Sequence, residues 1–170
     1  MSEVSLTGNA KLIRLSTKPF KILALDLGTH CGWAVSTPCS VVESGVQMFD
    51  LRRGESPGMR FIRFNKWLSE MLINVFPDMV VYETMFACRG PALEVLLGMY
   101  TRIQEQCAMK SIPYAGMNAM TLKKRAAGSG KASKDMMMKA ASEFIGHLIL
   151  DDNEADAIML LKIAMEDYAT

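Results

Sequence analysis

The sequence lacks the features that build a disulfide-stabilised, zinc-binding or membrane-spanning protein. Its four cysteines show no CxxC pair or zinc-ligand spacing and follow no secretory signal, so we expect reduced thiols and a cytoplasmic location. No apolar run is long enough to span a membrane, and neither histidine stands in a recognisable motif. No internal repeat or low-complexity segment is present. These absences favour an ordinary globular protein.

The composition is that of one globular domain with an uneven distribution of charge. A chain of 170 residues, half of them hydrophobic, can bury a sizeable core. Residues 1–19 are polar and without clear period, so we expect an N-terminal tail followed by one domain over residues 20–170. Residues 121–140 carry six basic side chains and one acid, whereas residues 151–170 carry six acids and one lysine. Such blocks usually form solvated surface, but they also suit a basic rim around an acidic site.

The pattern of apolar residues predicts an α/β fold with a mixed sheet. Residues 22–25 form an apolar run that is typical of a strand buried on both faces. Strands are predicted at residues 21–27, 32–36, 45–50, 77–83 and 111–117. Helices are predicted at about residues 56–76, 91–110, 133–147 and 153–168. The first three strands follow one another through short turns and should be antiparallel, whereas the later strands, reached through helices, should be parallel.

Acidic residues occur where two predicted strands end and where the last helix begins. Asp26 ends the first strand, Glu83 ends the fourth, and Asp156 follows Asp152 and Asn153 by about one turn. If the two strands are neighbours, their ends bring Asp26 and Glu83 together, and the last helix can place Asp156 against them. Converging carboxyl groups repel one another unless some stay protonated or a divalent cation binds them. Mg²⁺ prefers such oxygen ligands, and two ions ~3.5–4 Å apart can activate water against a phosphodiester.

The same acids also fit turn and helix-cap roles that involve no metal. An aspartate near a glycine at a strand end is typical of a turn, and an acid early in a helix favours the helix dipole. The stretch LDLGT, which contains Asp26, also resembles the first phosphate loop of actin-like and sugar-kinase ATPases, but that class needs a second glycine-rich loop and a second domain. The stretch GSGK is not a Walker A loop, because Ala132 follows Lys131. The pattern alone does not separate a metal site from turn and cap roles.

Five stretches of the sequence resemble, in order, segments of the RuvC-type Holliday junction resolvases, which are members of the ribonuclease H-like superfamily. The stretches are KILALDLGTHCGWAVS, ESGV, PDMVVYETMFACRGPALEVLLG, IPYAGMNAMTLKKRAAGSGKASKDMM and NEADAIMLL. They lie between about residue 21 and residue 165. The resemblance implies a ribonuclease H-like mixed five-stranded sheet flanked by helices. It suggests a divergent, phage-like member that acts in the cytoplasm of a bacterial or phage-infected cell.

The resemblance also implies an activity, a cofactor and partners. It implies a crossover junction endodeoxyribonuclease that resolves four-way DNA junctions by paired symmetric nicks, with two Mg²⁺ ions that Mn²⁺ can replace. It implies a homodimer with its interface on the helix at about residues 91–110, where Leu97, Met99 and Tyr100 are candidate contacts. Two-fold symmetry would place two active sites on one junction. A less selective nuclease for branched DNA or RNA–DNA hybrids, and a non-catalytic junction-binding protein, are the alternatives.

The resemblance places the metal ligands on Asp26, Glu83 and Asp156. The family usually has aspartate or histidine three residues before the last ligand, where this sequence has Asn153. Asparagine can offer Mg²⁺ a carbonyl oxygen but no charge. Either the preceding Asp152 is the fourth ligand, or Asn153 is and one ion binds more weakly. The implied catalytic residues are four acids and a lysine: Asp26, Glu83, Asp152, Asp156 and Lys134.

A basic stretch and an aromatic residue are the implied contacts to DNA. Lys123 and Lys134 match family lysines by their spacing, and cations that neutralise phosphates supply most sequence-independent affinity. Phe86, three residues after Glu83, matches an aromatic residue that wedges into the junction centre. The implied DNA contacts are Phe86, Arg89, Lys123, Lys124, Lys131 and Lys134. A solvated basic loop and a core aromatic residue are the plain alternatives.

Overall fold

The computed structural model describes residues 20–36, 41–84 and 89–169. The strands in these ranges are β1 (Ile22–Asp26), β2 (His30–Ser36), β3 (Val42–Met48), β4 (Met79–Thr84) and β5 (Tyr114–Asn118). The helices are α1 (Gly58–Val75), α2 (Pro91–Met109), α3 (Ala119–Ala127), α4 (Lys134–Ile145) and α5 (Asp152–Tyr168). The predicted tail, residues 1–19, and the predicted wedge, Phe86, lie outside the described residues.

The five strands form one mixed sheet in the order β3–β2–β1–β4–β5. β2 pairs antiparallel with β1 and with β3, whereas β4 pairs parallel with β1 and with β5. This is the predicted arrangement: the first three strands pair antiparallel, and the parallel strands are reached through helices. Some strand bounds differ from the prediction by a few residues. β3, for example, covers Val42–Met48, whereas the sequence predicts a strand at residues 45–50.

Helices cover both faces of the sheet, and alternate residues of β1 face the two layers. Ile22 and Ala24 pack in one core with α3, α4 and α5. Leu23 and Leu25 pack in a second core with α1 and α2. All four side chains are fully buried, which confirms the prediction of a strand covered on both faces. β4 alternates between the two cores in the same way.

α5 lies across β1, β2 and β3 and is buried along most of its length. Its buried residues are Ala155, Ala157, Ile158, Met159, Leu160, Leu161, Ile163 and Ala164. The helix begins at Asp152, one residue earlier than predicted, so Asp156 lies on its second turn rather than its first. Asp152 and Asp156 are therefore four residues apart on the same side of the helix.

Residues Ala119–Ala127 form a helix, α3, that the predicted elements do not include. Asn118 caps it, because its side chain accepts a hydrogen bond from the Met120 N–H at 2.8 Å, and Gly128 ends it in the left-handed conformation. An asparagine cap and a glycine stop are recognisable helix signals. They are weak here because α3 follows β5 directly and buries a single residue, Leu122. The helix matters because it carries Lys123 and Lys124.

Two of the three residues predicted for the subunit interface pack on the inward face of α2 instead. Met99 is fully buried, so the expectation that it contacts a second subunit is wrong. Tyr100 packs edge-on against Tyr82, with ring centroids 5.2 Å apart. Both residues hold α2 to its own domain. Leu97, the third candidate, is 52% exposed and stays available for a partner.

Two cysteines of the described residues, Cys31 and Cys107, are buried free thiols, as predicted. Burial raises the pKa of the Cys107 thiol to about 11, which keeps it protonated and unreactive. Within the described ranges, none of the helices combines the length and apolar character needed to cross a bilayer.

Candidate active site

Asp26 and Glu83 lie side by side where the two central parallel strands end. β1 and β4 are paired in register through Leu25 and Tyr82, and each acid is the next residue in its strand. Paired strands lie about 4.8 Å apart. Both acids continue the alternation that places Ala24 in the core below α5. The two carboxyl groups therefore share one face of the sheet, the face that α5 covers.

The first turn of α5 rests directly on β2 beside Asp26. Gly32 is the β2 partner of Asp26, and a Cβ atom on Gly32 would lie 1.9 Å from the carbonyl oxygen of Asn153. Only glycine lets the helix backbone approach the strand so closely. Asp156 follows one turn later and interacts electrostatically with Asp26 and Glu83. The close contact thus brings the third acid to the other two.

Two acids of the run DDNEAD fix the start of α5 instead of joining the site. Asp151 caps the helix, because its Oδ1 accepts hydrogen bonds from the N–H groups of Asn153 at 2.8 Å and Glu154 at 3.1 Å. Glu154 accepts a hydrogen bond from the Ser44 hydroxyl of β3 at 2.7 Å. The sequence pattern did not predict these positioning roles or that of Gly32. The cap could have been found, since aspartate before an apolar helix is a common N-cap signal.

The three converging carboxyl groups lie in surroundings that oppose their ionisation. Burial, followed by the charges of Glu83 and Asp156, raises the pKa of Asp26 well above its usual value. Burial and the charge of Asp156 raise the pKa of Glu83 to about 7. Burial also raises the pKa of Asp156 to about 6, and the charge of Asp152 adds to the effect. The cluster is therefore short of positive charge.

Two oxygens of the cluster, Glu83 Oε2 and Asp156 Oδ1, are buried and have no hydrogen-bond partner among the described residues. Buried polar atoms are normally paired, so these two indicate a partner such as a cation. Negatively charged oxygens are the ligands that Mg²⁺ takes in proteins. Across the described ranges, no group of three or more His, Cys, Asp or Glu side chains is arranged to hold a metal ion as it stands. The donor chemistry fits a divalent cation, around which the side chains would have to close.

Lys123 brings positive charge to all three acids. Its ammonium group lowers the pKa of Asp26, Glu83 and Asp156, against the larger effect of burial. Lys123 is half-buried on α3, which follows β5 at the same edge of the sheet. The structure therefore places this predicted DNA contact at the carboxylates themselves.

Lys134 and Asp152 form an ion pair that joins the start of α4 to the start of α5. The hydrogen bond from Lys134 lowers the pKa of Asp152 and raises that of Lys134. Asp152 also interacts electrostatically with Asp26 and Asp156. All five predicted catalytic residues thus belong to one electrostatically connected group.

Asn153 is turned toward the helix cap. Its side-chain NH₂ donates to Asp151 Oδ1 at 3.2 Å, so the amide oxygen is the atom with which Asn153 could bind a cation. Asp152, by contrast, carries a full charge that reaches Asp26 and Asp156. The charges favour Asp152 over Asn153 as the fourth oxygen donor.

This chain resembles known proteins in structure but matches none of them in sequence. No family model matches this sequence, and no curated protein matches it. The structure of Thermus thermophilus RuvC, however, matches with a TM-score of 0.71 at 18% identity, over 88% of this chain and 98% of RuvC. The chain has the fold of RuvC.

Two further structures agree with this assignment. T. thermophilus RuvC in complex with a Holliday junction substrate matches with a TM-score of 0.70 at 19% identity, over 83% of this chain and 90% of RuvC. The yeast mitochondrial Holliday junction resolvase Ydc2 matches with a TM-score of 0.57 at 12% identity, over 89% of this chain and 82% of Ydc2. The predicted fold class, a ribonuclease H-like mixed five-stranded sheet flanked by helices, is confirmed.

The remaining predicted DNA contacts lie on the surface of the RuvC-like fold. Lys124 is exposed on α3, and Lys131 is exposed in the loop that joins α3 to α4. Arg89 is exposed just before α2. Lys123, Lys124, Lys131 and Lys134 form a basic surface that extends over α3, the following loop and the start of α4. We call it the lysine surface.

Proposed function

We propose that this RuvC-like chain is a Mg²⁺-dependent, structure-selective endodeoxyribonuclease that resolves four-way DNA junctions by paired symmetric nicks. The observation that carries the proposal is the convergence of Asp26, Glu83 and Asp156, two of them with unpaired buried oxygens, at one edge of the sheet. The structural neighbours support the choice of substrate, since one is a complex with a Holliday junction and another is a Holliday junction resolvase.

The carboxylates would hold the metal ions. Asp26, Glu83 and Asp156 are the main donors, with Asp152 as the fourth and the amide oxygen of Asn153 as a neutral addition. Divalent ions bound there supply an activated water and stabilise the leaving oxygen of the phosphodiester. The raised pKa values of these acids support the assignment, because a bound cation would offset both the burial and the like charges that raise them.

The lysine surface would bind the phosphates of the strand to be cut. Lys123 already interacts with all three acids, so its ammonium group lies where negative charge accumulates during cleavage. Lys134 is exposed and pairs with Asp152. When a phosphate enters, Lys134 can exchange Asp152 for that phosphate, which leaves Asp152 available to a cation.

A two-fold dimer would place one such site on each of two opposed strands of a junction. Leu97 supports a dimer through α2, because it is a large apolar side chain exposed on the surface of that helix. Paired nicks require this symmetry, whereas a monomer would nick one strand at a time.

The test of the proposal is cleavage of a labelled synthetic four-way junction beside linear duplex, Y-fork and RNA–DNA hybrid, with Mg²⁺, with Mn²⁺ and with chelator. Paired symmetric nicks confined to the junction, and lost with chelator, are expected. Cutting of every substrate would replace the proposal with a general nuclease for branched DNA or hybrids. Tight junction binding without cutting under either metal would show a non-catalytic binding protein.

The matched variant is Asp26→Asn, which keeps the size of the side chain and removes its charge. We expect cleavage to fall by at least a hundredfold while junction affinity stays within about threefold, because a metal donor is lost and the lysine surface is not. Electrophoretic mobility shift and single-turnover cleavage measure the two effects separately. Loss of both binding and cleavage, with a lowered melting temperature, would assign Asp26 to folding instead.

A further inference from the structure

A second basic surface lies at the same edge of the sheet as the carboxylates. It is formed by residues 49–57, which join β3 to α1 and which we call the 49–57 loop. The N–H of Phe49 donates to the carbonyl oxygen of Thr29 at 2.7 Å. Thr29 lies in the turn that follows Asp26, so this hydrogen bond ties the loop to the edge where the acids lie.

The base of the loop is anchored in the core. The Phe49 ring is buried and packs edge-on against Phe64 and Trp67, with centroids 5.3 Å and 5.6 Å away. Arg60, on the first turn of α1, donates from Nε to the Phe49 carbonyl oxygen at 3.0 Å. Because both the ring and the carbonyl oxygen of Phe49 are held in place, the base of the loop has a defined position.

Hydrogen bonds within the loop fix its outer part. Glu55 accepts from the N–H of Arg52 at 2.7 Å and forms an ion pair with Arg63 of α1. Arg63 also donates to the carbonyl oxygen of Asp50 at 3.0 Å. The backbone of Glu55 donates to that of Arg52 at 3.1 Å, which closes a tight turn. Arg52 and Arg53 thus lie on an ordered turn of the loop.

The acids of the loop are already engaged, whereas its outer arginines are not. Glu55 pairs with Arg63, which lowers its pKa, and Asp50 is hydrogen-bonded to His30 Nε2 at 3.0 Å. Arg52 and Arg53 are exposed, and their guanidinium groups form no ion pair or hydrogen bond with any described residue. The loop therefore presents to solvent two adjacent guanidinium groups without an ion pair or hydrogen bond inside the described ranges, and the charge of Arg52 also helps to lower the pKa of Glu55.

This surface lies on the opposite side of the carboxylates from the lysine surface. The 49–57 loop follows β3, which is the outer strand on one side of the sheet. α3 follows β5, which is the outer strand on the other side. Asp26 ends β1, two strands or about 10 Å in from β3. In the strand order, the acids thus lie between the two basic surfaces, at the end of the sheet where β1, β4 and β5 end, and the loop packs on the face that α1 covers.

We propose that Arg52 and Arg53 form a second phosphate-binding surface, which holds the DNA backbone on the β3 side of the cleavage site while the lysine surface holds it on the β5 side. Guanidinium groups bind phosphate oxygens in a bidentate manner, and the backbone of an ordered turn is already fixed before binding. This inference rests on the proposed function, because it takes branched DNA as the ligand.

The test is the affinity of the double variant Arg52→Ala/Arg53→Ala for a labelled four-way junction, measured by fluorescence anisotropy in chelator at several salt concentrations. We expect the Kd to rise about tenfold and the slope of log K against log[salt] to become shallower by about 1.8, since two phosphate contacts are lost. Arg52→Lys/Arg53→Lys, which keeps both charges, should recover most of the affinity. Unfolding temperatures should not change, because both side chains are exposed.

The matched control removes the same charge away from the acids. Lys66 lies midway along α1, and Lys110 follows α2 at the opposite end of the sheet. Lys66→Ala/Lys110→Ala should bind the junction with the salt slope of the wild type. Equal slopes for the wild type and both double variants would overturn the arginine surface and leave the proposed function intact. A wild type that binds no junction would overturn the proposed function and this inference with it.

Discussion

At the scale of single residues, Glu83 links the charge of the carboxylate cluster to the stability of the protein. Its pKa rises from 4.5 to about 7 on folding, mainly because it is buried. Below pH 4.5 it is protonated in both states. As the pH rises through the interval from 4.5 to 7, the unfolded chain releases the proton first, so the folded state loses stability. The loss is complete above pH 7 and amounts to roughly 3 kcal/mol.

We therefore expect Glu83→Gln to flatten the pH dependence of stability in metal-free protein. Glutamine stays neutral, so the variant should lose roughly 3 kcal/mol less than the wild type between pH 4.5 and 7.5. Urea unfolding in chelator measures the difference. Added Mg²⁺ at pH 7.5 should stabilise the wild type more than the variant. Parallel curves for the two proteins would show that Glu83 is not buried as the structure has it.

The sequence predicted the acids of the site better than the residues that position them. Asp26, Glu83 and Asp156 could be found because each stands at the end or start of an apolar element. Gly32 carries no such signal, since its role depends on a helix more than a hundred residues away in the chain. Asp152 could be proposed as a donor, but its ion pair with Lys134 appears only when α4 and α5 meet.

At the scale of elements, the contact between β2 and α5 controls the position of Asp156. Gly32→Ala would place a methyl group 1.9 Å from the carbonyl oxygen of Asn153, and neither backbone can yield without moving the helix. We expect a loss of about 1–3 kcal/mol or more in stability and a larger relative loss of cleavage. Gly58→Ala is the control, since its Cβ would meet only Ser56 Oγ at 3.9 Å. Equal melting temperatures for the two variants would contradict the close contact.

Elements with strong apolar periodicity were predicted well, and those without it were not. α1 and α4 lie close to their predicted bounds, and Ser133 caps α4 by accepting a hydrogen bond from the Met136 N–H. α3 was missed because it buries little apolar surface and its stability comes from its caps and neighbours. The inward face of α2 depends on how α1 and the sheet meet it, which a helical repeat cannot specify.

At the scale of the whole molecule, the exposed Leu97 side chain provides a test of the dimer. If α2 forms the two-fold interface, Leu97→Glu should convert a dimer to a monomer, because it buries two like charges near the symmetry axis. Sedimentation velocity gives the mass directly. Ile73→Glu on α1 is the control, since Ile73 is a similar exposed side chain on another helix. A wild type that sediments as a monomer would contradict the dimer. Dissociation by Ile73→Glu but not by Leu97→Glu would place the interface on α1 instead of α2.

The order of elements along the chain also determines when the carboxylate cluster can exist. Asp26 and Glu83 belong to β1 and β4, whereas Asp156 belongs to α5, the last element of the described chain. A nascent chain leaving the ribosome therefore presents two of the three acids long before the third has been translated. The same helix covers one face of the central strands together with α3 and α4, so that face is fully covered only after α5 arrives. A reaction that needs all three acids therefore cannot occur while the earlier elements are being translated, and it becomes possible only when α5 packs on the sheet.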